Sequence, residues 1–252
     1  MYKKNSLNKV IGIMPMAGRG LRFKNYGYNT PKPLIKINKH SMFVNSSNSF
    51  PRSLGWIFII QKSLKKNKLF KKSMNFIKNK KLILLNKLTN GQASSAFKAI
   101  KFINKNQIII VHSCDLKFEV NMAEIKKKIK KYDIIVFTAK SQSYHLTNEK
   151  QFSWVKKNEL NNEIEISCKK NFKNKKKKSR VLVGSFVFKN KDTLIKSIKY
   201  VFKKKLKIKN EYYLDMVAAS SKKAGYKTGE IVVKKYVSWG SHGELSNFKL
   251  KR

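Results

Sequence analysis

A chain of 252 residues that is 41% hydrophobic and 12% aromatic can bury one full core and is too apolar for a disordered protein. Its longest apolar runs, residues 54–60 and 181–188, are too short to cross a bilayer. The formal net charge of +45 rests on 58 Lys and Arg against 13 Asp and Glu. Only five of those cations are arginines, and Arg is the residue that phosphate and base-edge recognition favours. Lysines scattered among abundant Asn and Ile read as the product of adenine- and thymine-rich codons, so no specific nucleic-acid partner is expected. The densest run, residues 173–178, reads as a solvated loop. Two cysteines, Cys114 and Cys168, give neither a disulfide framework nor a paired metal motif, which points to a cytoplasm.

The start of the chain mimics a signal peptide, but a short apolar stretch feeding a glycine turn is better read as a buried first strand over 10–14. Strands follow at 56–60 and 82–85, separated by a Lys-rich helix over 62–77. A helix over 94–103 places Ala96, Ala99, Ile100 and Ile103 on one face; then come a strand at 108–112, a helix at 122–129 and a strand at 133–138. Residues 152–155 and 163–167 alternate like half-buried strands joined by a polar turn at 158–162. The strongest strand, 181–188, contains Gly184, where something needs close backbone approach. Helices at 193–202 and 211–223 and a strand at 226–233 complete the pass. Without an internal repeat or linker, the pattern predicts a single α/β domain over 1–252: a mixed, mostly parallel sheet flanked by helices, with an antiparallel excursion. His40, His112, His145 and His242 show no metal spacing; His112 reads as a strand-end residue and the others as surface.

The segment IGIMPMAGRGLRFKNYGYNTPKPLIKIN, residues 11–38, carries the chemistry. Gly18 and Gly20 permit positive φ and let backbone N–H groups approach a phosphate. Arg22 adds a planar fork matched to phosphate oxygens, and Pro31 and Pro33 fix the backbone around Lys32 so that its ammonium group aims at one point. Asp115, just beyond the strand at 108–112, stands where α/β sheets place ligands.

M-A-G-x-G-x-R-F followed by P-K-P-L-I resembles the signature of the nucleoside-diphosphate-sugar pyrophosphorylases, sugar-phosphate nucleotidyltransferases, in the branch serving capsule and lipopolysaccharide biosynthesis. The resemblance covers nearly the whole chain and implies a glycosyltransferase-A-like, Rossmann-like fold, with nucleotide on the N-terminal half and acceptor on the C-terminal half. It implies transfer of a nucleotidyl group from a nucleoside triphosphate to a sugar 1-phosphate or similar phosphorylated acceptor, with release of pyrophosphate. Arg22, Lys32 and Asp115 would be catalytic, with Mg2+ on Asp115. Ala17, Gly18, Gly20 and, in the TNGQASSA stretch, Gly91 and Gln92 would contact the nucleotide. Lys169 in ISCKKNF, Gly184 in VLVGSFVFKN and Glu211 in NEYYLD would contact the acceptor. The resemblance leaves the nucleobase, the acceptor and any homo-oligomer open. Departures are Leu21, where Ser or Thr is usual, Cys168, where a sugar-binding Glu is usual, and Ser238, where many relatives offer magnesium a second Asp. Asp115 is therefore expected to be the sole carboxylate ligand, the alternative being Glu211 or Asp215. A glycosyltransferase using a nucleotide-sugar donor would be expected to show D-x-D, and SCDLKF offers one carboxylate. A non-catalytic nucleotide- or nucleic-acid-binding protein is the third class, favoured by charge alone.

Overall fold

The computed structural model describes residues 10–158, 163–172 and 179–250. The lysine run at 173–178 and, except for Asn158, the expected turn at 158–162 lie outside them. The first half runs β1 (Val10–Pro15), α1 (Leu21–Lys24), a 3-10 turn (Lys32–Leu34), β2 (Lys36–Ile37), β3 (His40–Ser41) and α2 (Met42–Ser47). It continues with β4 (Gly55–Gln61), α3 (Lys62–Lys66), α4 (Lys68–Met74), β5 (Lys80–Leu85), α5 (Gln92–Phe97) and β6 (Ile108–His112). Then come β7 (Leu116–Glu119), α6 (Met122–Lys128), β8 (Ile134–Lys140), α7 (Ser143–Thr147), β9 (Trp154–Lys157) and β10 (Ile164–Ser167). The chain closes with β11 (Arg180–Phe188), α8 (Lys191–Lys203), α9 (Leu214–Ala219), β12 (Thr228–Val232), β13 (Lys234–Ser238) and α10 (His242–Leu250).

Nine strands form the central sheet in the order β10-β9-β11-β6-β1-β4-β5, with β8 joined to β11 and β12 joined to β8. The pairs β1–β4, β1–β6, β4–β5 and β8–β12 are parallel, while β11 runs antiparallel to β6, β8 and β9. β9 and β10 form the expected antiparallel excursion. This is a mixed, mostly parallel sheet flanked by helices. Its central strands β1, β4, β6, β8 and β11 are near-continuously apolar because both faces are covered. Consecutive side chains then serve opposite cores: Met14, Ile110 and Val187 pack on one face, and Ile13, Ile109 and Phe186 on the other. A third, smaller cluster of Phe23, Ile35, Ile37, Met42, Trp239 and Leu245 ties α1, the proline-flanked segment and α10 together.

Three helices differ from expectation. The one at 62–77 is broken into α3 and α4 by Asn67, whose extended ψ of 126° ends the first while its side chain accepts a hydrogen bond from Phe70 N and caps the second. The helix at 94–103 begins earlier, at Gln92, and tightens into a 3-10 turn at Ile100–Phe102. The helix at 211–223 begins only at Leu214, and its tail is a 3-10 turn, Lys222–Ala224, stopped by Gly225 at φ 84°.

His145 is buried rather than on the surface: its Nδ1 accepts from Gln142 N at 3.0 Å, and its ring meets Phe152 edge-on at 4.8 Å. His112 is fully enclosed as well. The Ser46 hydroxyl donates to Ser113 O at 2.6 Å, which leaves its oxygen to accept from His112 Nε2 at 2.9 Å. His112 Nδ1 then accepts from the Ser185 hydroxyl at 3.0 Å, so a neutral imidazole links α2 to β11. Burial pushes the pKa of His112 down to about 4 against the bonding of Ser46 and the field of Asp115. Between pH 6.5 and about 4 the unfolded chain therefore binds the proton and the native one does not, so stability falls as pH falls through that window. Moving from pH 7 to pH 5 is expected to cost about 2 kcal/mol through this group at ~1.36 kcal/mol per unit. Urea melts at the two pH values check this: His112→Gln is expected to show a smaller pH dependence than wild type, and equal dependence would refute the assignment.

Candidate active site

Strand β1 delivers the chain into the loop from Met16 to Gly20 at the carboxyl end of the parallel strands. Met16 N donates to Ile59 O at 2.8 Å, and the Gln61 side chain donates to Ala17 O at 3.1 Å, so the loop is pinned to β4 and its end. Of the two loop glycines only Gly20 has a positive φ, 66°, and a Cβ there would lie 3.2 Å from Lys32 Cβ. Gly18 instead faces open space, where its missing side chain leaves the backbone accessible.

Lys32 enters between Pro31 and Pro33, passes over the Phe23 ring and reaches two groups. Its Nζ donates to Asp115 Oδ2 at 2.5 Å and to Gly240 O at 2.9 Å. Asp115 follows β6, and its carbonyl accepts from Trp239 N at 2.7 Å, so the closing turn is clamped to the same residue. Burial alone would raise the Asp115 carboxyl; Lys32 beside it, with Arg22 further off, outweighs that and holds it below its ordinary value. Arg22 projects from α1 into solvent, and its charge is felt both at Asp115 and at Tyr213. Gly184 sits at a bulge in β11 with φ 70°, where a Cβ would come within 3.1 Å of Ser113 Oγ. The close approach expected at this strand glycine is to the loop that carries Asp115.

A second cluster lies on the C-terminal half. Lys169, at φ 57°, donates to Gln151 O at 2.8 Å and lies 3.8 Å from Asp215 Oδ2. Asp215 is buried and also accepts from the Ser153 hydroxyl at 2.5 Å. Lys169 Nζ stands 5.5 Å from the centre of the Tyr213 ring, and the Tyr213 hydroxyl donates to Glu211, whose residue is exposed. Burial, then Glu211, pushes that phenol up. Cys168 is half-buried, and burial and then Asp215 push its thiol up to about 12, which keeps it protonated.

Gly91, at φ 100°, has a structural reason of its own: a Cβ would lie 2.7 Å from both N and O of Tyr212. Ala93 N donates to Tyr212 O and Tyr212 N to Asn90 O, so this turn joins the loop carrying Glu211 to the start of α5, where Gln92 is half-buried. The expected residues thus fall into two groups, Arg22–Lys32–Asp115 with the Gly20 turn, and Lys169–Glu211 with Asp215. A cleft of about 1680 Å³ between β10 and β12 is lined by none of them.

Asp215 pairs with Lys169 and accepts from the Ser153 hydroxyl, and Glu211 accepts from Tyr213. The carboxylate beside Asp115 is Glu244, which sequence reasoning missed; its only signal was Ser241 three residues earlier, the S-x-x-E spacing of a helix start.

No protein-family profile matches the sequence, and no curated protein matches it either. Solved structures do share its shape. A nucleoside-diphosphate-sugar pyrophosphorylase from Vibrio cholerae RC9 superposes with a TM-score of 0.78 at 17% identity, over 96% of this chain and 100% of that one. A putative glucose-1-phosphate thymidylyltransferase from Bacillus anthracis gives 0.70 at 18% identity, over 96% and 94%. The inositol-1-phosphate CTP transferase from T. maritima gives 0.70 at 15% identity, over 95% and 93%. This chain therefore has the fold of the nucleoside-diphosphate-sugar pyrophosphorylases.

Proposed function

We propose that the chain is a nucleotidyltransferase that moves a nucleoside monophosphate from a nucleoside triphosphate to a sugar 1-phosphate or a similar phosphorylated acceptor, releasing pyrophosphate. The observation that carries the reading is the convergence of Lys32 and Asp115 at the carboxyl end of the parallel strands, beside the Gly20 turn. Among the described residues no helix is long and apolar enough to cross a membrane. Work in a cytoplasm and supply of nucleotide sugars for surface polysaccharide extend this proposal.

The acceptor's phosphate oxygen attacks the α-phosphorus in line, and the pyrophosphate leaves with the electron pair of the broken bond. Such a reaction asks the protein for positioning and charge rather than covalent chemistry. The backbone of residues 17–20 cradles the triphosphate, and exposed Arg22 clamps the end that departs. Lys32 exchanges its bond with Asp115 for the α-phosphoryl oxygens, where negative charge grows. Lys169 holds the acceptor's phosphate, its ammonium already oriented by Gln151 O and Asp215, while Glu211 and the backbone at Gly184 face the rest of the acceptor. The hard, ionised oxygen of Asp115 suits Mg2+, which when bound supplies positive charge to the phosphate oxygens.

Asp115→Asn is expected to abolish pyrophosphate release, measured over a panel of triphosphates and phosphorylated acceptors, while the chain still folds, with a lower melting temperature because Lys32 loses its charge partner. Near wild-type turnover at saturating magnesium would remove Asp115 from the site. The same panel distinguishes the rivals, since a glycosyltransferase or a simple binding protein releases no pyrophosphate.

Lys32→Ala is expected to lower kcat by at least tenfold with a smaller change in nucleotide KM, because its contact strengthens in the transition state. An effect confined to KM would contradict that role.

A further inference from the structure

Glu244 opens α10 with a reciprocal pair of bonds: its N donates to the Ser241 hydroxyl at 3.3 Å, and the hydroxyl donates to its Oε2 at 2.9 Å. A helix cap needs no more than that, yet the carboxylate has a second oxygen. The residue is 8% exposed, and Oε1 has no hydrogen-bond partner among the described residues. It makes no ion pair among the described residues, in a chain with 58 cations to choose from. Among the described residues, the other buried aspartate or glutamate, Asp215, has Lys169. A buried carboxylate with one bare oxygen is costly unless a cation or solvent meets it.

The surroundings point to a cation. Around Gly240, the point where a Cβ would stand lies 3.1 Å from Glu244 Oε2, the oxygen that also accepts from Ser241, and 3.4 Å from both Asp115 Oδ2 and Ser238 Oγ. Gly240 has no side chain to fill that space, and its carbonyl is already turned to the Lys32 ammonium. Glu244 and Ser238 also line a cavity of about 130 Å³, which Asp115 does not line, with room for several waters at ~30 Å³ each. Two carboxylates, a hydroxyl and space for water are hard oxygen donors of the kind a small divalent cation takes.

We propose that Glu244 is the second protein carboxylate for the divalent cation on Asp115, reaching it from α10 rather than from strand β13. The cation is one and the same as that of the nucleotidyl-transfer reading, on which this inference rests. Lys32 holds the place of positive charge at Asp115 until the triphosphate arrives, so the cation binds with the nucleotide.

The test uses the full chain and Mn2+ as probe, with free Mn2+ read by electron paramagnetic resonance in the presence of α,β-methylene nucleoside triphosphates. Glu244→Gln keeps an oxygen for Ser241 and hence the cap. It is expected to weaken nucleotide-dependent Mn2+ binding at least tenfold at an unchanged melting temperature. Adding Ser238→Asp to that variant is expected to restore affinity to within threefold of wild type, because the new carboxylate faces the same space. Should Glu244→Gln fail to fold, Glu244→Asp, which keeps the charge on a shorter arm, is expected to weaken binding at least threefold. Wild-type Mn2+ affinity in the folded Gln variant, or in the Asp variant where that one is used, would show a helix cap hydrated by the cavity and overturn the proposal. If wild type and Asp115→Asn both show no nucleotide-dependent Mn2+ binding, it is the nucleotidyl-transfer reading that fails, and this inference falls with it.

Discussion

Everything in the candidate site depends on one ion pair between residues far apart in sequence. Lys32, Asp115 and the carbonyl of Gly240 come from three separate loops, and the lysine ammonium is where those loops meet. The side chains of Lys32 and Asp115 are 14% and 19% exposed, so each charge has surrendered most of its water to the other. Removing one partner from such a pair typically costs ~3–5 kcal/mol, because the remaining charge is stranded. The pair is thus both a fastening and a store of positive charge, held ready by prolines on one side and by the Trp239–Asp115 backbone bond on the other. Beneath it, the Phe23–Trp239–Leu245 cluster keeps the three loops from drifting apart.

Most of the sheet was legible because parallel strands covered on both faces must be apolar throughout, and runs such as 56–60 and 108–112 announce that directly. The positions of Lys32 and Asp115 were legible for a different reason: prolines and a strand end restrict where a side chain can go. What escaped were the short pieces. α7, β7 and α10 are too brief or too polar to show a period, and they owe their form to tertiary contacts such as the β7–β13 pairing. The break at Asn67 was hidden because lysines on both sides look equally helical, while the asparagine's alternative bonding decides the matter. Glu244 was invisible for the same reason as α10 itself: only folding brings it near Asp115.

The abundance of lysine obscures how few cations have a defined place. Lys32 is fixed by adjacent prolines, and Lys169 by a left-handed backbone at φ 57° with bonds at both its N and its Nζ. By contrast, Lys222 and Lys235 pair with Glu163 and Glu119 while their own side chains are 81% and 76% exposed. Exposed pairs of that sort contribute ~0–1 kcal/mol and are weakened by salt. Both of these lysines sit where the backbone leaves the cation no alternative, and the remaining charge keeps the molecule solvated.

Strand β11 has a consequence for how the molecule is made. It is antiparallel to β6, β8 and β9, and it alone covers the edge of β6 that β1 leaves open. During synthesis, β1, β4, β5 and β6 can assemble as soon as residue 112 has emerged, but β6 then presents a bare row of backbone groups until residue 188 follows. At ~5–20 residues per second that interval is roughly 4–15 s. Ile108–His112 is an apolar ribbon with no formal charge on it, the sort of edge to which a neighbouring nascent chain adds.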